Sequence, residues 1–470
     1  MTEGTPPLAP AGTLRQGALG VGAITFFVVS AAGPLVAVAG GAPIGMMLGN
    51  GPGMPLGYIL VSLILLAFAV GYTAMAARVR NAGGFYAFAA EGLGPVAGGA
   101  AAMIALLAYN TMQIGIYGMF GVASSALVAD LLHMQPPWWA CAYAAMAVVA
   151  LCGYRQIDVS AKVLGVLVVA EYLCVLALDA VILARGGDVG VSLHAFTPAA
   201  FSVGAPAIGL LFCFASFIGF EATTIYAEEA KDPRHSVPRA TYFSVLLIGG
   251  FYAFTIWCMV VGLGDAKVIP AIQALADPTQ LLFVLSDRYA APPLTLALRI
   301  LFVTSVFAGL LAFHNAVARY FFALGRDGVL PRELGVTHPR HFSPHLGSLV
   351  QSALAALVVG LFAAGHADPL LTLFSWLTNV GTLGVLALMA LASFAVPAYF
   401  RRHPGHGESP LVVVILPVAA GLALAGAMLL AAANFDLLTG ASKELAIALP
   451  LTIVAAAALG AVLTLVRKPR

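Results

Sequence analysis

The stretch Phe214-Ala215-Ser216-Phe217-Ile218-Gly219-Phe220-Glu221 decides how the chain is read. It lies inside an apolar run over residues 204–229, yet small residues and a glycine interrupt its aromatics and a carboxylate follows at once. A lone acidic side chain at membrane depth costs about 2.5–3.5 kcal/mol on insertion scales, so it needs a partner, a proton or a water-filled cavity. A second interruption, Ser30-Ala31-Ala32-Gly33-Pro34, sits in the first apolar run. Irregular backbone at that depth is tolerated only where it lines a cavity or is covered by protein. Two broken runs, each opening one half of a chain, therefore mark a solute site near the bilayer midplane.

The composition supplies the bilayer. Of 470 residues, 61% are hydrophobic and 9% charged, against about 25% charged in soluble domains. Backbone groups in lipid must be paired internally, which leaves helical bundles and closed barrels. Apolar runs of 18 or more residues without two-residue alternation exclude the barrel. The net charge of +2 gives no reason to expect a nucleic-acid partner. Cys141, Cys152, Cys174, Cys213 and Cys258 all fall in apolar runs without CxxC spacing, so they are expected to act as small hydrophobes rather than as disulfides or metal ligands. The first 14 residues lack the basic segment and cleavage site of a signal peptide, so the N-terminus is expected to be retained, on the cytoplasmic side.

Twelve transmembrane helices are expected, near 17–48, 54–77, 95–128, 138–154, 158–184, 204–229, 239–264, 293–323, 346–364, 369–398, 410–433 and 444–466. With the N-terminus inside, 17 of the 22 Lys and Arg residues fall at cytoplasmic ends; Arg185, Lys267, Arg288, Arg299 and Lys443 are the five outside. That bias places both termini in the cytoplasm. The stretch 265–292 is polar enough for short outer helices, and 83–94 reads as an amphipathic piece at the inner surface. A single transport domain is expected: a cytoplasmic tail over 1–16, a first repeat over 17–202, a second of inverted topology over 203–400, then two accessory helices over 401–470.

Three motifs carry a family resemblance. They are Asn81-Ala82-Gly83-Gly84-Phe85-Tyr86; Phe214 through Glu221 with Glu228-Glu229-Ala230-Lys231-Asp232-Pro233 and Val237-Pro238-Arg239-Ala240; and Asn315 to Arg319 running into Gly325-Arg326-Asp327-Gly328-Val329-Leu330-Pro331. The whole chain resembles the amino acid–polyamine–organocation (APC) superfamily permeases. The resemblance implies an all-α, leucine-transporter-like fold of five plus five helices, the first and sixth broken, and two accessory helices. It also implies secondary transport by alternating access, with amino acids or amines as substrates. The sequence departs from the family twice. The first break in relatives is a GxG-type turn whose free N–H groups hold a substrate carboxylate, whereas Pro34 here has none to offer. In the fifth helix, the place where several proton-coupled relatives carry a lysine is occupied by Glu171.

The end of a broken helix attracts ions of the opposite sign, so Ser30, Ala31, Gly33, Ala215, Ser216 and Gly219 are the first candidates for substrate contact through the backbone. The same small residues also suit close helix packing. Phe217 and Phe220 could wall a cationic amine with their ring faces. The resemblance adds Gln113, beside Tyr109 and Asn110, and Phe313, beside His314, as pocket positions; Trp376 and Asn379 rank behind them. Glu171 and Glu221 are the candidate proton-coupling carboxylates, while Asp179 is expected to snorkel outward and Glu228 and Glu229 to form an inner salt-bridge set. His338, His341 and His345 are read as a solvated loop rather than a metal site.

These expectations describe a proton-coupled importer of an amino acid or organic amine in the cytoplasmic membrane. Protons rather than Na⁺ are the expected coupling ion, lipid is the surrounding partner, and no cofactor or enzymatic constellation is expected. An exchanger and a non-transporting sensor are the alternatives.

Overall fold

A computed structural model describes residues 20–79, 84–155, 161–221, 223, 230–341, 343–404, 407–440 and 442–466. The expectations for the inner-loop residues Asn81 to Gly83, for Glu228 and Glu229, and for the continuation of the sixth helix beyond Glu221 fall largely outside these residues. The described chain forms the helices α1 (Val21–Ala32), α2 (Ala42–Leu48), α3 (Met54–Ala76), α4 (Phe85–Leu93), α5 (Pro95–Leu132) and α6 (Trp138–Arg155). Next come α7 (Ala161–Ala184), α8 (Pro198–Phe201), α9 (Pro206–Phe217), α10 (Pro233–Leu263), α11 (Val268–Gln273) and α12 (Leu281–Tyr289). The last are α13 (Pro292–Arg326), α14 (His345–Ala364), α15 (Ser375–Arg402), α16 (Leu416–Ala433), α17 (Phe435–Thr439) and α18 (Lys443–Val466).

The punctuation is local. Pro95, Pro206, Pro233 and Pro292 open their helices, where a missing N–H costs nothing and φ is already set. Gly264, with φ of +82°, closes α10. Among the described residues, nine helices are long and apolar enough to cross a membrane. The 18-residue α6 and the interrupted α1, α2 and α9 are not among them. The protein is therefore a multi-pass membrane protein.

Two groups of helices pack internally. In one, α10 lies along α3 and α1, and α9 packs on α3 and α2. In the other, α5 lies against α13 and α6, and α14 covers α13 and α6. The helix α15 runs beside α5 and touches α9 from the other side. Its approach to α5 needs glycine: a Cβ on Gly381 would stand 2.8 Å from the Ala108 carbonyl oxygen. Side chains that small let two backbones approach, which is how membrane helices gain packing without a hydrophobic driving force.

Two expectations change here. The piece after Gly83 does not keep one face free as an amphipathic piece would: Phe85, Tyr86, Ala87, Phe88 and Ala89 of α4 are buried against α5 and α15. Its run of aromatics gives both faces something to bury, and Phe85 and Phe88 meet the Tyr72 ring of α3 at 5.6 and 5.0 Å. Asp179 does not snorkel: it is fully buried and accepts a 2.7 Å hydrogen bond from Thr255 of α10. A short aspartate stem cannot climb a helix as a lysine stem can.

The stretch 265–292 does form the short helices α11 and α12. It is fastened by Asp188, which takes Lys267 Nζ at 2.6 Å and Arg288 Nη2 at 2.5 Å. Those two hydrogen bonds, that of Lys267 first, hold the Asp188 carboxyl below its ordinary value.

Candidate functional site

Each of the two interrupted stretches ends a helix. The helix α1 stops at Ala32. Gly33 follows with φ of +54°, a conformation side-chain-bearing residues rarely adopt, and Pro34 brings no donor. The chain then resumes as helix, passing through a π-helical turn over Val36–Gly41 into α2. At the start of this second piece the Leu35 N–H points to Glu171 Oε2 at 3.4 Å, and Ser305 of α13 donates to the same oxygen at 2.8 Å. The Ala32 carbonyl, at the end of the first piece, accepts from the Tyr252 hydroxyl at 3.4 Å.

The second stretch also ends a helix, and most of the chain beyond Glu221 as far as Ala230 lies outside the described residues. The helix α9 stops at Phe217, Ile218 is extended (φ −60°, ψ 126°) and Gly219 has φ of +116°. The Gly219 N–H donates to Glu221 Oε2 at 2.8 Å, and the Tyr109 hydroxyl donates to Oε1 at 2.5 Å. Tyr72 holds the Glu221 carbonyl at 3.2 Å. A helix start leaves main-chain donors unsatisfied; Glu171 answers the Leu35 N–H at such a start, and Glu221 answers the Gly219 N–H in the turn after α9. Glu171 and Glu221 are 1% and 5% exposed, so neither is solvated from outside.

Between the breaks lies a cavity of about 70 Å³. One water needs about 10–15 Å³ on this measure, so there is room for several waters or a small solute. Ala32, Gly33, Val36 and Ala37 bound it on the first break, and Phe212, Ala215, Ser216 and Ile218 on the second. The facing wall comes from Met112 and Ile116 of α5, Gly309 and Phe313 of α13, Phe374 at the start of α15 and Thr378 within it. The cavity thus sits where the two helix groups meet.

Of the residues singled out in the sequence, Gly33, Ala215, Ser216 and Phe313 reach this wall. Gln113, Phe217, Gly219 and Phe220 do not. Phe217 packs behind it, 6.4 Å from Tyr58 and 6.1 Å from Tyr252, and Phe220 lies edge-on to Phe68 at 6.0 Å. Gln113 turns into a second buried polar cluster. There it accepts from Gln351 and lies 3.3 Å from His314 Nδ1, while His314 Nε2 meets Ser348 at 2.8 Å. The Ser30 and Ala31 side chains lie outside the described residues.

Asn110 and Asn379 bond back to their own helices, and Trp376 donates to the Thr439 carbonyl at 2.7 Å. His338, His341 and His345 group around Tyr154, and among the described residues no set of three potential ligands is placed to hold a metal.

The wall residues that sequence reading missed are apolar ones. Met112 and Ile116 are four apart, as are Gly309 and Phe313, so each pair shares a helix face. A membrane helix is apolar all round, and nothing in the pattern tells a cavity face from a packing face.

Comparison with known proteins came to the same kind of molecule. A family model described as "Amino acid permease" matches residues 19–458. The branched-chain amino acid permease BcaP of Bacillus subtilis (strain 168) is 26% identical over 432 residues, covering 86% of this chain and 84% of its own. The low-affinity putrescine importer PlaP of Escherichia coli (strain K12) is 25% identical over 313 residues, covering 65% and 67%. Among solved structures, a manganese transporter from Eremococcus coleocola, crystallised with an aromatic bis-isothiourea compound, superposes with a TM-score of 0.58. It covers 97% of this chain and 99% of its own at 12% identity, a likeness of fold alone.

Proposed function

The chain belongs to the amino acid permease family, and from that premise we propose that it carries an amino acid or organic amine across the cytoplasmic membrane by alternating access, driven by protons. The observation that carries the reading is the cavity between the two interrupted stretches, with a buried carboxylate beside each. Relatives named as permeases of a branched-chain amino acid and of putrescine support the substrate class.

In this reading twelve helices cross the bilayer as two five-helix repeats of opposite topology plus two accessory helices, with both termini cytoplasmic. The α1–α3–α9–α10 group moves against the α5–α6–α13–α14 group, opening the cavity to one side and then the other. Ser30, Ala31, Gly33, Ala215, Ser216 and Gly219 supply backbone at the breaks, Phe313 supplies a wall, and Gln113, Phe217 and Phe220 hold the layer behind.

Glu171 carries the coupling proton. It bridges the start of the second half of the first helix, through Leu35, to Ser305 of the opposite group. Ionised, it attracts both donors; protonated, it weakens that hold and frees the groups to part. Glu221, tied to Gly219 and Tyr109, does the corresponding work at the second break. The test is Glu171→Gln in proteoliposomes, because glutamine imitates the protonated form. Solute exchange is expected to persist while accumulation driven by a pH gradient is abolished. Wild-type accumulation in that variant would remove Glu171 from the coupling step.

A further inference from the structure

The loop from α13 to α14 carries His338, Arg340 and His341 in one short run, and His345 opens α14. Its shape depends on one imidazole. The main-chain N–H groups of Arg340 and His341 both donate to His338 Nδ1, each at 3.2 Å. The His338 N–H in turn donates to the Ser343 carbonyl at 2.8 Å, which closes the turn. Ser343 is fully buried, and its hydroxyl donates to the Tyr154 carbonyl in the last turn of α6 at 2.6 Å. The last carbonyls of a helix have no partner inside it, and here the loop supplies one.

A neutral imidazole has one donor nitrogen and one acceptor, whereas its cation has two donors. Two N–H groups facing Nδ1 therefore require the neutral ring, with its proton on Nε2. A proton arriving at Nδ1 would face two donors and break both bonds. The surroundings oppose that proton. The His341 ring lies 4.6 Å from that of His338, His345 of α14 lies at 5.1 Å and Tyr154 of α6 at 5.2 Å. Partial burial first, then His341, His345 and Arg340, hold the His338 imidazole below its ordinary value. Among the described residues no carboxylate forms an ion pair with it.

The turn also reaches the solute cavity. Gly153, one residue before Tyr154, lays its backbone against the His314 ring, with no room for a side chain between them. His314 follows Phe313 of the cavity wall and is bonded to Ser348 of α14 at 2.8 Å. The loop, the end of α6 and the start of α14 thus back one wall of the cavity.

We propose that His338 is a pH switch: neutral, it holds the α13–α14 loop closed on α6, and the proton it takes up as the water around the loop acidifies opens the turn and slows the solute cycle. The turn is complete above the ordinary histidine value of about 6.5 and is lost as pH falls through the lower folded value. The effect on the cycle rests on the transport reading above; the opening of the turn does not.

His338→Asn separates the turn from the titration, because an asparagine oxygen accepts from nearby main-chain N–H groups and takes up no proton. Amide hydrogen exchange of the purified full chain is compared at about pH 8 and about pH 5, corrected for intrinsic rates. In the parent, protection of the Arg340 and His341 amides is expected to fall tenfold or more in acid. In His338→Asn it is expected to persist, and in His338→Ala to be absent at both pH values. Solute exchange in proteoliposomes, with equal pH on both sides, is expected to fall severalfold more in the parent than in His338→Asn. Any pH dependence from Glu171 is common to both proteins and cancels in that ratio. Protection in the parent that survives acid overturns the proposal. Solute exchange that falls alike in both proteins overturns its transport half and leaves the transport reading standing. If neither protein exchanges solute, the transport reading falls and the amides alone decide the switch. Should asparagine fail to hold the turn even at about pH 8, the ring titration of isotope-labelled His338, assigned by its loss in His338→Ala, decides. A midpoint below about 6.5 is then expected, and one at or above that value overturns the proposal.

Discussion

Two glycines and two glutamates carry the site. A side chain on Gly33 would be forced into φ of +54°, with its Cβ 3.0 Å from a Val36 methyl. Left-handed backbone costs a side-chain-bearing residue about 1–2 kcal/mol. Gly33→Ala is therefore expected to lower the stability of the purified protein by about that amount, read from thermal unfolding in detergent, and to impair uptake further by displacing Leu35 from Glu171. An unchanged melting curve would mean that the break does not need glycine. Tyr109→Phe removes the 2.5 Å donor to Glu221 while keeping the ring. Hydrogen bonds to charged groups are worth about 1.5–3 kcal/mol, so loss of that order is expected if Glu221 is ionised in this state. A variant as stable as the parent would show that Glu221 does not depend on Tyr109. Both glutamates and both glycines stood out in the sequence because each breaks an apolar pattern. The partners of the glutamates did not: Ser305 is 134 residues from Glu171, and no spacing rule reaches that far.

At the scale of elements, the broken helices were legible and their surroundings less so. Proline and glycine punctuate the chain visibly, and α9 ends within two residues of the glycine that marked it. The direction of side chains around α9 was not legible. Phe217 and Phe220 follow an aromatic rhythm that suits a wall, yet tertiary packing turns them toward Tyr58 and Phe68. The same limit hid the burial of α4 and of Asp179, since an apolar helix shows no preferred face.

The loops around Asp188 offer a test of electrostatics away from the membrane-spanning helices. Asp188 joins the end of α7 to Lys267 and to Arg288 of α12. Its folded carboxyl titrates below its unfolded one. Its contribution to stability is then complete above the ordinary aspartate value of about 3.9 and is lost as pH falls through the lower folded value. Asp188→Asn is expected to lower the melting temperature at pH 7 and to flatten its decline below about pH 4. Equal melting temperatures at neutral pH would mean that the loop is held by other contacts.

For the whole molecule, the central claim is that the space between the two helix groups is where the solute binds. Gly309 gives the cleanest access to it. It lines the cavity, and a Cβ added there would meet nothing within 4 Å. Because Gly309 lies inside α13, replacing it with a helix-forming residue also removes a backbone-entropy cost of about 0.5–1 kcal/mol. Filling the cavity and destabilising the protein are thereby separated. The decisive measurement is solute affinity and uptake of Gly309→Leu beside its melting temperature. The predicted result is an unchanged or higher melting temperature with affinity reduced tenfold or more. Wild-type affinity in a folded Gly309→Leu protein would contradict the account, because the solute would then bind somewhere else.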